Sequence, residues 1–113
     1  MNHQPRGWSD IVSIVATRDQ AVATIGLFVA LRDTIGAPLS WWRCEAERLP
    51  DMTAEDWKRV EARDFSVASR SELLMRSLKP IALDPSKRAD TLLALDVHIT
   101  YLRAQFGISE GDA

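Results

Sequence analysis

The chain has a single cysteine, Cys44. It can therefore form no internal disulfide, and a reducing, thiol-tolerant compartment suits it best. Its only histidines are His3 and His98. With His3 in the loose N-terminal leader, the one remaining histidine and one cysteine do not make a zinc site. Positive charge is not in excess: 14 Lys and Arg stand against 16 Asp and Glu, a net charge of −2. That argues against direct nucleic-acid binding, which needs a basic face to neutralise phosphates. The basic doublets Lys58-Arg59 and Lys87-Arg88 lie beside acidic residues and read as solvated helix faces. No apolar run approaches the roughly 20 residues of a membrane span. The longest charge-free stretch is Gln20 to Leu31, and Ile11 to Ala16 is too short for the apolar region of a signal peptide. The expectation is a cytoplasmic protein with no membrane partner. There is no glycine-rich phosphate loop and no nucleophile elbow, and no cofactor is implied. The five glycines and five prolines form no linker tract, so residues 1–113 read as one domain, with 1–8 a loose leader and 109–113 a polar tail.

What is present is helical patterning. Ser9 or Asp10 can cap a short helical segment over Ile11 to Thr17, although its Ile11, Val12, Ile14 and Val15 would also suit a short strand. Thr17 and Gln20 have capping-box spacing, so a helix either starts there or runs on from the first segment. Ala21 to Leu31 is apolar all round, as in a helix surrounded by its own protein or partly covered by another chain. Within it Ala23, Gly26 and Ala30 are small enough to admit a neighbouring helix. Gly36 and Pro38 close it. A short helix with Trp41-Trp42 follows over Pro38 to Leu49. Thr53 and Asp56 open the next, which carries Trp57, Val60 and Phe65. Ser69 and Glu72 are spaced to cap another, holding Leu73, Leu74, Met75 and Leu78 and stopping before Pro80. Asp84-Pro85 starts a last helix to Phe106, because Asp caps well and Pro suits the first helical position. Leu92, Leu95, Ile99, Leu102 and Phe106 mark its buried stripe, widened by Leu93. Gly107 and Ile108 fit a Schellman ending. The expected fold is all-α, a compact bundle of about five or six helices.

Catalytic constellations are thin. Cys44 is a possible nucleophile and His98 a possible base, but no spacing joins them. Cys44, between Arg43 and Glu45, reads as a buried or half-buried thiol, and His98, off the leucine stripe, as a surface or partner-facing imidazole. Paired carboxylates on neighbouring helices can hold Mg²⁺ in all-helical nucleotide pyrophosphohydrolases. Glu61 and Asp64, three apart, would share a helix face, whereas Glu45 and Glu47 point to nearly opposite sides. That leaves a Mg²⁺-dependent hydrolase, or a structural subunit of a larger assembly, as alternatives to a non-enzymatic binding protein.

Four tryptophans, Trp8, Trp41, Trp42 and Trp57, favour binding, since tryptophan dominates interaction hot spots. Trp41 and Trp42 point about 100° apart on a helix, so one can enter the core while the other sits at the edge. On the 21–35 helix, Phe28, Leu31, Arg32 and Ile35 lie along one side as an apolar ridge with a charged rim. With Trp42 they are the expected partner-contacting residues. A charge at Phe28 or Ile35 should then abolish partner binding while leaving helicity intact; loss of helicity would instead mark a core position.

In size and in the layout of three elements, the apolar helix Ala21–Ile35, the Trp41-Trp42 helix and the long helix Pro85–Phe106, the chain resembles the small all-helical anti-activators of bacterial quorum sensing. The resemblance implies a regulator that is a homodimer when free. It also implies binding to a LuxR-type transcription activator, blocking the activator's dimerisation and hence its DNA binding.

Overall fold

The computed structural model describes residues 12–64 and 66–109. The expectations for the 1–8 leader, with His3 and Trp8, for Phe65 and for the tail beyond Ser109 lie outside the described residues. The protein is all-α. The helices wholly within the described residues are α1 (Arg18–Ile35), α2 (Leu39–Ala46), α3 (Ala54–Ala62), α4 (Val67–Ala82) and α5 (Pro85–Phe106), with no strand among those residues. The chain divides into two compact units, Met1–Thr34 with Asp90–Ala113, and Ile35–Ala89.

The first unit is built from α1 and most of α5. The choice left open at Thr17 is resolved: α1 is a separate helix opened by a reciprocal cap. The Gln20 backbone N–H donates to Thr17 Oγ1 at 3.2 Å, and Gln20 Oε1 accepts from the N–H groups of Ala16 and Thr17 at 2.8 and 3.2 Å. Helix α1 buries Ala21, Ile25, Phe28, Leu31 and Ile35, the three- and four-residue steps of a single inward stripe. Helix α5 does the same with Leu95, Ile99 and Leu102, as the sequence predicts. Leu93, expected to widen that stripe, instead faces outward. It is two residues from Leu95, and positions two apart point about 200° apart on a helix. The helices are tied by Arg32, which donates to Asp96 Oδ1 at 2.9 Å, and by the ring contact of Phe28 with His98.

The predicted Schellman ending is present. Gly107 has φ +63°, the Ile108 N–H donates to the Arg103 carbonyl at 2.9 Å, and Ile108 is buried. A methyl group on Gly107 would meet no atom within 4 Å, so only the left-handed backbone opposes a side chain there. Gly107→Ala is therefore expected to cost about 1 kcal/mol, read as a lower urea midpoint with an unchanged slope.

The second unit holds α2, α3, α4 and the start of α5, with α2 packed against α4. Helix α3 opens on the expected Thr53–Asp56 capping box: Asp56 Oδ2 accepts from the Thr53 N–H at 2.9 Å, and Thr53 Oγ1 from the Asp56 N–H at 3.1 Å. Helix α4 departs from expectation at both ends. Its cap is Ser66, whose side chain accepts from the Ser69 N–H at 3.2 Å, and not Ser69 itself. It also runs through Pro80 to Ala82. Proline there removes one late helical hydrogen bond, while Leu78 and Ala82 on either side are buried. Burial in the final turn outweighs the lost bond.

Two cations of α4 lash the segment before α3. Arg76 donates to the carbonyls of Pro50 and Asp51 at 3.1 and 3.0 Å and pairs with Asp56. Lys79 donates to the Leu49 carbonyl at 2.7 Å and pairs with Asp51 at 2.7 Å. At the start of α5, Asp84 Oδ1 accepts from the N–H groups of Ser86 and Lys87, at 3.0 and 3.1 Å, as expected. Arg88, read from sequence as part of a solvated face, instead donates to the carbonyls of Ile35 and Ala37 at 3.2 and 2.9 Å, closing the end of α1.

The Thr53 backbone N–H and hydroxyl, and then Arg76, hold the Asp56 carboxyl below its ordinary range. Lys79 does the same for Asp51. A carboxyl whose folded pKa is depressed stabilises the fold fully above its unfolded value, near 3.9, and loses that contribution as pH falls through the folded value. The thermal midpoint should therefore drop between about pH 5 and pH 2. In Asp56→Asn the midpoint at pH 7 should be lower and the acid drop shallower, as followed by circular dichroism across a pH series.

Candidate functional site

The residues expected to touch a partner are mostly core. Phe28, Ile35 and Trp42 are fully buried and Leu31 nearly so. Arg32 is half-buried and spends its guanidinium on Asp96, with Asp33 3.6 Å away. The Phe28–Ile35 ridge is thus the inward face of α1, and it cannot also be the docking face. The tryptophan pair divides as expected but with the roles reversed. Trp42 is buried, and Trp41 remains 41% exposed, its ring edge-on to Trp42 at a centroid distance of 5.1 Å.

The outer faces carry the unexpected apolar surface. On α5, Leu93, Val97 and Tyr101 are 65%, 55% and 52% exposed. Four residues apart, they stand about 6 Å from one another along the axis, with exposed Thr100 and Ala104 beside them. On α1 the outer face is Ala23, Gly26, Leu27 and Ala30, with Leu27 49% exposed. A methyl group placed on Gly26 would meet no atom within 4 Å, so no described residue closes on the face at that point. Of the two readings of an all-round apolar helix, one side of α1 buried and one side open is what the structure gives.

Each unit also carries a recess. In the first unit a cleft of about 450 Å³ runs along the flank of α5, with Val12 and Val15 opposite Tyr101 and Phe106. In the second unit a smaller groove of about 270 Å³ is lined by Trp57, Val60, Leu73 and Leu74, with Arg70 and Ser77 supplying its polar atoms.

The sequence-level catalytic groups are not assembled. Glu61 lies at the end of α3, but Arg63 takes a left-handed conformation (φ +55°) and ends the helix, so Asp64 does not continue its face. Glu45 is engaged by Arg48 at 3.1 Å. Cys44 is exposed, in place of the buried or half-buried thiol expected. His98 is half-buried, tilted against Phe28 at a ring-centroid distance of 6.4 Å. Among the described residues, no group of three or more His, Cys, Asp or Glu could hold a metal ion.

Val97 and Tyr101 are the site residues that sequence reading passed over. Their signal was present: Leu93, Val97 and Tyr101 form a second four-residue repeat interleaved with the leucine stripe. A helix with two apolar stripes on opposite sides has one more than its own core requires.

No protein-family model, curated protein or solved structure matches the chain. No single helix among the described residues is long and apolar enough to cross a membrane.

Proposed function

We propose that the chain is a non-enzymatic regulatory protein that binds and sequesters a partner protein. The observation that carries this reading is the Leu93–Val97–Tyr101 ridge, together with the open outer face of α1. Contiguous exposed apolar side chains on a small domain mark a protein interface more often than chance exposure, and tyrosine is among the residues that anchor such interfaces. The small residues Ala23, Gly26 and Ala30 would let a partner helix come close to the α1 backbone, with Leu27 as a neighbouring contact.

The partner proposed is a LuxR-type quorum-sensing transcription activator in the cytoplasm. This finer choice rests on the resemblance in layout of α1, the Trp41-Trp42 helix and α5. The protein would cover a surface the activator needs for its own dimerisation, and DNA binding would fall by mass action. In the free protein the same ridge would be shielded by a second copy, giving a homodimer that exchanges for the activator. Titration of the purified protein into the ligand-binding domain of such an activator, followed by sedimentation velocity, tests the proposal. The activator dimer should be replaced by a mixed complex as protein is added. An activator dimer unchanged at saturating protein would refute this choice of partner.

A further inference from the structure

The cleft beside α5 has features a protein-docking ridge does not need. We infer that it binds a small, uncharged, predominantly apolar molecule carrying one or two hydrogen-bonding groups. At about 450 Å³ it falls within the size range of small-molecule sites. Its walls are apolar: Val12 and Val15 on one side, Leu102 and Phe106 on the other. Among the described residues no Asp, Glu, Lys or Arg lines it, so that lining offers no partner for a charged group.

Four polar side chains do line it: Ser13, and three on α5. His98, Tyr101 and Gln105 follow one another at three- and four-residue steps, a ladder about 10 Å long on one flank of the helix. Among the described residues, none of these three side chains hydrogen-bonds to another residue. His98 is half-buried, while Tyr101 and Gln105 are exposed at the cleft's rim; a few polar groups beside apolar walls are the usual means by which such sites orient a ligand. His98 is also held from behind: its ring rests against Phe28, which is fully buried in the core. The ladder therefore stands on a fixed support, opposite an apolar wall, and suits an elongated neutral amphiphile.

The probe is N-phenyl-1-naphthylamine, an uncharged fluorophore with a single N–H, titrated into the purified full chain. Its fluorescence should rise and saturate at one dye per chain. Its sulfonated relative 1-anilinonaphthalene-8-sulfonate, which adds a charge the cleft cannot pair, should bind at least tenfold more weakly. Gln105→Trp, an exposed position where a larger side chain fills the cleft, should abolish the signal with the circular dichroism spectrum unchanged. Leu93→Asp, on the ridge but outside the cleft, should leave it intact. The inference is overturned by any of four results: no saturable signal, equal or tighter binding of the sulfonated dye, binding indifferent to Gln105→Trp, or binding lost in Leu93→Asp. Val97 and Tyr101 belong to both the ridge and the cleft, but the dye measurements involve no activator, so their failure overturns the cleft alone and leaves the sequestration reading to its own titration.

Discussion

Phe28→Asp is expected to unfold the protein, while Leu27→Asp, one residue earlier, leaves the helical spectrum unchanged. Phe28 is fully buried, and its neighbour points to solvent. Removing a buried phenylalanine costs about 3–5 kcal/mol, and a carboxylate left without a partner in the same place costs several more. The whole stability of a domain this size is about 5–15 kcal/mol, so the sum approaches or exceeds what is available. Ile35→Asp and Trp42→Ala should fall on the Phe28 side of this contrast, and Trp41→Ala on the Leu27 side. Far-UV circular dichroism at 25 °C and urea midpoints separate the two groups. Retained helicity in Phe28→Asp would mean that the inward face of α1 has been wrongly assigned.

The second large effect concerns binding and leaves stability alone. Leu93→Glu and Val97→Glu replace exposed apolar side chains, and surface changes away from special features usually shift stability by about 0.5 kcal/mol or less. In a complex, the same positions would bring an unpaired charge into the apolar centre of the interface. A central anchor is worth about 2 kcal/mol or more, so each variant should weaken partner binding by about 30-fold or more. The double variant should leave no complex detectable at micromolar concentration. Tyr101→Ala should weaken binding similarly, through lost contact area alone. If the free protein is the proposed homodimer, the same variants should sediment as monomers.

The all-α fold and most helix starts were legible because they depend on local chemistry. Thr17 with Gln20, Thr53 with Asp56, Asp84 before Pro85, and Gly107 with Ile108 each satisfy orphan backbone groups within a few residues. The ends of α4 were not, because Ser66 and Ser69 are equally good caps on paper, and because burial around Pro80 is a tertiary matter. The clamps made by Arg76, Lys79 and Arg88 were also hidden. Arg76 and Arg88 reach backbone carbonyls 25 to 53 residues away in sequence, and Lys79 one 30 residues away, which no local pattern encodes.

The candidate surface was only half legible, for a symmetric reason. Helix α1 is apolar on every side, so its pattern cannot say which side faces inward. The ridge chosen from sequence, Phe28, Leu31, Arg32 and Ile35, contains its largest side chains, and large side chains fill the core first. The outer face keeps the small residues and Leu27. The tryptophan pair reversed for the same kind of reason: a 100° separation says that one ring goes in, and only packing says which.

The most direct measurement is the affinity of the wild-type protein and of Leu93→Glu for the purified ligand-binding domain of a LuxR-type activator, taken by calorimetry on samples with matched circular dichroism spectra. A stoichiometric complex with the wild type, weakened about 30-fold or more in Leu93→Glu, is the expected result. Equal affinity in the two would contradict the assignment of the α5 ridge as the binding surface, and no heat with either would contradict the sequestration of this class of partner.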